Sequence, residues 1–442
     1  MQSNINFYPR STSVQIRKDS LIESAPVKYE DFIRLAQGKG IYILSVNLEG
    51  IGLSKRLRSL GLNVKSFLDS RFTGLRHGIP VMEPKRYFES CDSSSDILLI
   101  CTKDREWKEN FLHQAASSGF ERYKNLFTPL DICRFFPTIE VEGKCNLVCK
   151  TCDMGLPSAN KGRGHMGINL FKDVLGKMLQ EIPLMNSVAL YTWGEPLLNP
   201  DLPEIIKECR KRGVASEIST NLEYHKYLEE FLLAEPDQIV APCAGVGERY
   251  ERGRTGGTWN QYLKGLKKIA EYKSSFNLDY NVRIMYHLYK DNLDADFDYM
   301  KDLTKDYGFS LIPIVAHIFP GQVYQYAVNG INIPDVMQEA SSNLIFPLED
   351  QLEFARLKKG SRCHITNAFP TITWDGKVLH CCNMQKPTVG RSNYLDKSLT
   401  EFIEQRNSSP FCTKCMNEGV HKFFDVNISI EDFNGTRNVI RL

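Results

Sequence analysis

Cys145, Cys149 and Cys152 stand in the run Cys-Asn-Leu-Val-Cys-Lys-Thr-Cys, directly after a predicted strand. Three thiolates on one short loop reach three irons of a cubane cluster and leave the fourth iron open to a substrate or cofactor. Zinc is the rival reading, but it generally takes a fourth ligand and tighter cysteine pairs. A second group lies near the C-terminus: Cys363, then Cys381 behind Gly376, then Cys412 and Cys415. Four thiolates complete the ligation of one cluster, which then passes electrons but chelates nothing. A zinc ribbon is the rival there, although its knuckles would normally be two CxxC pairs and only one is present. Cys382 adjoins Cys381, and either can be the ligand. His421 follows Cys415 by six positions and either ligates or lines the site. Cys91, Cys101, Cys133 and Cys209 read as small buried hydrophobes, while Cys243 is ambiguous.

These groups must be positioned by the rest of a chain of 442 residues, of which 42% are hydrophobic and 24% charged, as in an ordinary globular protein. Lys plus Arg number 55 and Asp plus Glu 53, a net charge of +2, so no electrostatic case exists for nucleic acid or an anionic membrane as partner. No apolar run approaches the roughly 20 residues that span a bilayer. Met1 to Lys18 has no apolar core of the kind a secretory signal needs. Thirteen cysteines without an export signal are expected in a reducing, cytoplasmic setting, free for metals or catalysis.

The pattern predicts an α/β chain. Residues 1–37 read as a polar arm with an amphipathic stretch from Tyr29 to Gln37. Residues 38–134 read as a small Rossmann-like parallel-sheet domain, with strands at Ile41–Val46, Val64–Leu68 and Ile97–Cys101 and helices between. Gly50-x-Gly52 after the first strand and Asp69 at the end of the second are a weak dinucleotide signal, since Lys55 replaces the third glycine. Residues 135–330 alternate strand and helix six times, at Thr138–Glu142, Ser187–Tyr191, Ala215–Ser219, Gln238–Ala241, Asn281–Met285 and Phe309–Val315. That rhythm predicts a partial, TIM-like (β/α)6 barrel with its ligands at the strand C-termini. A less regular connecting segment, 331–360, the Cys-rich region 361–424 and a tail, 425–442, complete the division.

CxxxCxxC after a first barrel strand resembles the radical SAM superfamily. The resemblance implies that the open iron chelates S-adenosylmethionine, that the reduced cluster cleaves it to a 5′-deoxyadenosyl radical, and that this radical abstracts a substrate hydrogen. Further motifs follow in order. Gly194-Glu195-Pro196, after Trp193, resembles the GGEP element that binds the methionine amino group. Ser219-Thr220-Asn221 resembles the segment near the ribose. Tyr250 to Arg254 with Gly256-Gly257 resembles a YxxxR-GG stretch, and Arg254 is the candidate for the methionine carboxylate. The second cysteine group resembles a SPASM domain in its shortened, twitch form, with one auxiliary [4Fe–4S] cluster. The GxxxxC count of that pattern favours Cys381. Residues 64–102 resemble the nucleotide-binding half of PglD-like sugar acyltransferases, although a purely structural or docking module is an equal reading.

At the predicted barrel mouth stand Tyr191, Glu217, Cys243, His287, Lys290, Asn292 and His317. His287 and His317 are the first choices for a base that completes an oxidation, and Glu217 serves if burial raises its pKa. Cys243 allows a different ending, return of a hydrogen atom to the opposite face and hence epimerisation. The expected enzyme is a cytoplasmic oxidoreductase or epimerase with two [4Fe–4S] clusters, acting on a sugar, aminocyclitol or nucleotide-sugar in glycan or antibiotic-sugar biosynthesis. Its expected electron donor is flavodoxin or ferredoxin. The rivals are a maturase of ribosomally made peptides and a non-enzymatic iron–sulfur protein.

Overall fold

The computed structural model describes residues 25–157, 159–363, 365–385 and 388–425. Most of the expected arm, 1–24, and the tail from 426 onward lie outside the described residues. Among the described residues the strands form two sheets, and no helix is long and apolar enough to cross a membrane.

The first sheet contains β1 (Gly40–Leu44), β2 (Val64–Leu68), β3 (Leu75–Arg76), β4 (Ile79–Met82), β5 (Asp96–Ile100) and β6 (Leu126–Phe127) in the order β3-β4-β2-β1-β5-β6. Every pairing is parallel except β3 with β4. β5 is buried along its whole length, as the continuous apolar run Ile-Leu-Leu-Ile requires of a strand covered on both faces. Its crossover helices start where caps allow. Asn47 Oδ1 accepts from Gly50 N at 2.9 Å to open the helix Leu48–Ser59, and Asp104 accepts from Trp107 N at 2.8 Å to open Arg105–Ser117.

The second sheet carries β7 (Thr138–Ile139), β8 (Ser187–Ala189), β9 (Ala215–Ser219), β10 (Gln238–Cys243), β11 (Asn281–Leu288) and β12 (Ser310–Val315), all parallel and adjacent in chain order. It continues past β7 into the Cys-rich region. β13 (Thr371–Ile372) pairs parallel with β7, and β14 (Lys377–Leu379) and β15 (Thr388–Asn393) follow antiparallel. The second cysteine group is thereby anchored to the strand that leads into the first. β7 is shorter than its pattern suggests, because Val141 O turns aside to accept from Met166 N at 2.9 Å and Asn199 Nδ2 at 2.8 Å.

The segment 331–360, expected to be less regular, holds the helices Asp335–Ser341 and Leu348–Arg356, and the helix Pro320–Asn329 precedes it. Pro320 opens Pro320–Asn329, and Pro334 and Pro347 cap Asp335–Ser341 and Leu348–Arg356. Each helix is therefore too short to display a sustained 3.6-residue period, which hid it in the sequence.

The helix Leu48–Ser59 lies between the two sheets, and its glycines have a packing role. A Cβ on Gly50 would come within 2.2 Å of Ser45 O, and one on Gly52 within 2.3 Å of Asn186 O. Both glycines admit protein backbone at the places where a dinucleotide fingerprint would admit phosphate. Asp69 is equally occupied, accepting from Val46 N at 2.9 Å and pairing with Arg71 at 2.8 Å. Val46 O, just beyond β1, accepts from Asn281 Nδ2 at 3.3 Å, so the carboxyl end of the first sheet abuts the start of β11.

Charged groups complete this junction. Lys55 pairs with Asp237, Arg76 Nε lies 2.5 Å from Asp279 Oδ1, and Arg56 Nε donates to Pro183 O at 2.7 Å. His77 Nδ1 is 3.8 Å from Asp237 Oδ1, and burial pushes its pKa down from 6.5 to about 4 despite that carboxylate. Above pH 6.5 the ring is neutral in both folded and unfolded chains. Between 6.5 and 4 the unfolded chain takes up a proton that the folded one refuses, so stability is lost as pH falls, by roughly 2 kcal/mol at pH 5. Thermal midpoints at pH 7.5 and pH 5 test this. The gap between them narrows in His77→Gln, and an equal gap in both proteins would remove His77 from the account.

Candidate active site at the carboxyl ends of the second sheet

A cavity of about 530 Å³ opens where the second sheet's strands end. Cys145, Cys149 and Cys152 line it. Their loop is held by its own backbone: Leu147 N lies 3.4 Å from Cys145 Sγ and Met154 N 3.5 Å from Cys152 Sγ. It is also held from outside. Val148 N donates to Thr255 O at 2.9 Å, and Asn160 brackets Cys145 through both its amide atoms at 3.0 Å. Burial pushes the Cys145 thiol up to about 12 and drives Cys152 further in the same direction. Among the described residues no three His, Cys, Asp or Glu side chains converge as the ligands of a single metal ion do. A cubane cluster makes a different demand, with each cysteine reaching its own iron.

The motif residues divide into those facing the cavity and those behind it. Gly194 lines it, and a Cβ there would meet Glu142 O at 2.0 Å, so only glycine lets the turn lie against the cysteine loop. Glu195 and Pro196 are buried behind the wall. Glu195 Oε1 accepts from Leu197 N at 3.0 Å and Thr220 Oγ1 at 2.7 Å, and its Oε2 accepts from Asn221 N at 2.7 Å. The carboxylate thus latches the end of β9 to the turn after β8. Ser219 and Asn221 line the cavity while Thr220 belongs to the latch. Asn221 Nδ2 donates to Asn146 Oδ1 at 2.9 Å and rests 3.8 Å from Cys145 Sγ. Trp193 packs against Phe319 with ring centroids 4.7 Å apart and planes tilted by 52°.

Arg254 lies on the cavity wall with Nη1 4.0 Å from Cys149 Sγ and Nη2 donating to Pro242 O at 3.4 Å. Its Nε is buried and has no partner among the described residues. Burial opposes its charge, but Cys149, the phenols of Tyr250 and Tyr262, and Cys145 hold it protonated above the ordinary range. A cation with a spare donor beside three cluster-type cysteines fits a carboxylate-bearing ligand chelated there.

Both candidate histidines line the cavity. His317 Nδ1 donates to Gln351 Oε1 at 2.5 Å, and Gln351 is itself fixed by donating Nε2 to Phe346 O at 2.7 Å. That orientation makes Nε2 the basic nitrogen of the ring. Glu217 sits behind Tyr191, whose hydroxyl donates to Glu217 Oε1 at 2.6 Å and which itself faces the cavity. Burial and that carboxylate keep the phenol protonated well above its usual range. Cys243 is fully buried, points its thiol at Gly245 O at 3.2 Å, and does not line the cavity.

Cys363, Cys381, Cys412 and Cys415 line a second, smaller pocket. Asn383 N lies 3.4 Å from Cys381 Sγ, and the backbone of His421 donates to the Cys415 thiol. Cys382 borders the larger cavity and Cys381 the smaller pocket, and the two thiols are hydrogen-bonded to each other. His421 borders both spaces, with Ser361 Oγ 2.9 Å from its Nε2. Sequence reasoning passed over Gln351 and the fully buried Arg406. Both lie in ordinary amphipathic helices, where a polar residue reads as solvent-facing.

Residues 139–303 match the family model of the Radical SAM superfamily, whose enzymes bind S-adenosylmethionine and an iron–sulfur cluster. The chain is 24% identical over 314 residues to the tungsten-containing aldehyde ferredoxin oxidoreductase cofactor-modifying protein of Pyrococcus furiosus, a match covering 63% of this chain and 86% of that one. Similar solved structures include BtrN in complex with AdoMet and 2-DOIA, at 14% identity, TM-score 0.38, and 67% and 93% coverage of this chain and that one. Streptococcus suis SuiB bound to precursor peptide SuiA is similar at 14% identity, TM-score 0.43, and 72% and 84% coverage. Native anSMEcpe with bound AdoMet follows at 14% identity, TM-score 0.41, and 70% and 99% coverage.

Proposed function

We propose, from the premise that residues 139–303 form a Radical SAM superfamily domain in an α/β enzyme, that this chain abstracts hydrogen from a sugar, aminocyclitol or nucleotide-sugar and completes a two-electron oxidation. An enzymatic superfamily domain sets aside the non-enzymatic reading. One observation carries the rest: a single cavity collects the CxxxCxxC loop, Arg254, two histidines and the Cys382 segment that adjoins a second set of four cysteines. Cys145, Cys149 and Cys152 would hold a [4Fe–4S] cluster with S-adenosylmethionine, and Cys363, Cys381, Cys412 and Cys415 an auxiliary [4Fe–4S] cluster. When bound, these groups supply hydrogen-atom abstraction and an electron acceptor.

The protein's part is binding, orientation and proton transfer. Arg254 offers its spare Nε to the methionine carboxylate. The Glu195 latch keeps Gly194, Ser219 and Asn221 against the cofactor's other end. His317, oriented by Gln351, accepts the proton that the oxidised carbon's hydroxyl gives up, with His287 the alternative base. A cavity of about 530 Å³ suits a cofactor and a small substrate better than an extended peptide. Cys243, directed at Gly245 O, is poorly placed to return a hydrogen atom, which favours oxidation over epimerisation. A flavodoxin or ferredoxin of the cytoplasm is the proposed electron donor.

Anaerobic reconstitution tests this reading. About eight irons per chain are expected, with 5′-deoxyadenosine released on reduction with S-adenosylmethionine and turnover of a sugar or aminocyclitol panel. Cys381→Ala falls to about four irons while Cys382→Ala keeps about eight. Turnover of peptides alone would replace the substrate assignment, and failure to release 5′-deoxyadenosine under any reductant would end the mechanism.

A further inference from the structure

Arg406 is a cation enclosed in the C-terminal region beside cysteines. It lies in the last turn of the helix Leu399–Asn407, is 1% exposed, and heads the fully buried side chains by volume. Nε donates to His380 O at 2.9 Å, Nη1 to Phe369 O at 3.3 Å and Nη2 to Ile365 O at 3.3 Å. Carbonyls satisfy the fork's hydrogen bonds but bring no net charge. Two other sequestered cations have a carboxylate: Arg163 is paired with Glu140 and Lys55 with Asp237. Among the described residues none is paired with Arg406. Burial works against its charge, and Cys381, Cys412, Cys363 and Cys382, in that order, are the groups that would offset it as thiolates. A guanidinium stays protonated in proteins, so an isolated buried one is severely unfavourable unless an anion lies near. Protonated thiols do not supply that anion, whereas four thiolates around an iron–sulfur cluster do.

We propose that Arg406 is the built-in counter-cation of the auxiliary cluster, a positioning residue that stabilises the loaded site and raises its reduction potential. The proposal rests on the reading of Cys363, Cys381, Cys412 and Cys415 as ligands. Reduction adds one negative charge to a body beside a fixed positive charge in a low-dielectric setting, so the cation favours the reduced form over the oxidised one. The same fork ties the 365–369 turn to His380, two stretches that lie between Cys363 and Cys381. A site tuned this way takes up an electron readily, as the oxidation of a substrate radical demands.

The test uses the full chain with Cys145, Cys149 and Cys152 replaced by Ala, which retains one cluster at about four irons and gives one EPR-monitored redox transition. Arg406→Gln is expected to lower the reduced-to-oxidised ratio at a given potential at least tenfold, about 59 mV for one electron. Arg406→Lys keeps the charge and stays within about threefold of the parent. Iron bound in Arg406→Gln at an unmoved potential overturns the proposal and leaves the ligand set standing. No iron in the parent triple variant overturns the auxiliary-cluster reading and the proposal with it. Where Arg406→Gln does not fold, Arg406→Lys decides: failure to load iron, or a tenfold fall in the ratio with the charge retained, overturns the proposal.

Discussion

Cys149→Ala lowers the rate of 5′-deoxyadenosine release by roughly a thousandfold or more, equivalent to about 4 kcal/mol of lost transition-state stabilisation. The size follows from the division of labour in the proposed site. The cofactor carries the bond cleavage, and no side chain of the cavity replaces it. Cys149 is also the thiol nearest Arg254, with Nη1 4.0 Å from its sulfur, so its loss removes a ligand and the anion that Arg254 faces. Iron content is expected to fall from about eight to about four while the auxiliary absorbance persists. Cys243→Ala is the control. Its thiol is fully buried and directed at Gly245 O, so release and turnover stay within about threefold of the parent. Full activity in Cys149→Ala would refute the assignment of the loop. A Cys243→Ala enzyme that still consumes S-adenosylmethionine but makes no product would restore the epimerase ending.

Lys55→Met destabilises the folded chain by about 3–5 kcal/mol, through a junction far from the cavity. Lys55 and Asp237 pair with side chains 16% and 3% exposed. Deleting the cation leaves the Asp237 carboxylate buried, supported by Ser216 N at 3.0 Å and a His77 ring that burial keeps neutral. The double variant Lys55→Met with Asp237→Leu recovers most of the loss, because replacing both members of a buried pair removes the uncompensated charge. Chemical denaturation of all three proteins measures this, and limited proteolysis shows whether the first sheet detaches. A midpoint for Lys55→Met within about 0.5 kcal/mol of the parent would mean that the junction does not need the pair.

The proposed chemistry is written locally because ligand reach along a loop is a local property. Cys145, Cys149 and Cys152 are separated by three and two residues, and that spacing alone pointed to an open-iron cluster. The parallel strands were legible for the same kind of reason, as in the buried run of β5 and the alternating burial of β11. Short elements were not, since helices such as Asp335–Ser341 end before a period can establish itself. The dinucleotide signal at Gly50 and Gly52 was weak from the start, and the missing Cβ that would admit a phosphate admits Ser45 O and Asn186 O.

What tertiary structure alone decided is direction and company. Cys381 and Cys382 are neighbours in sequence with hydrogen-bonded thiols, yet only Cys381 borders the second cysteine pocket while Cys382 borders the main cavity. His287 and His317 reach the cavity wall, whereas Glu217 is shielded by Tyr191 and Cys243 turns to Gly245 O. Arg406 reads in the sequence as one more helical arginine, and only its enclosure among thiols gives its charge a purpose. Residue types and spacing determine which reactions a chain can attempt; burial and long-range packing select the groups that face the reacting atoms, because both depend on contacts between segments hundreds of residues apart.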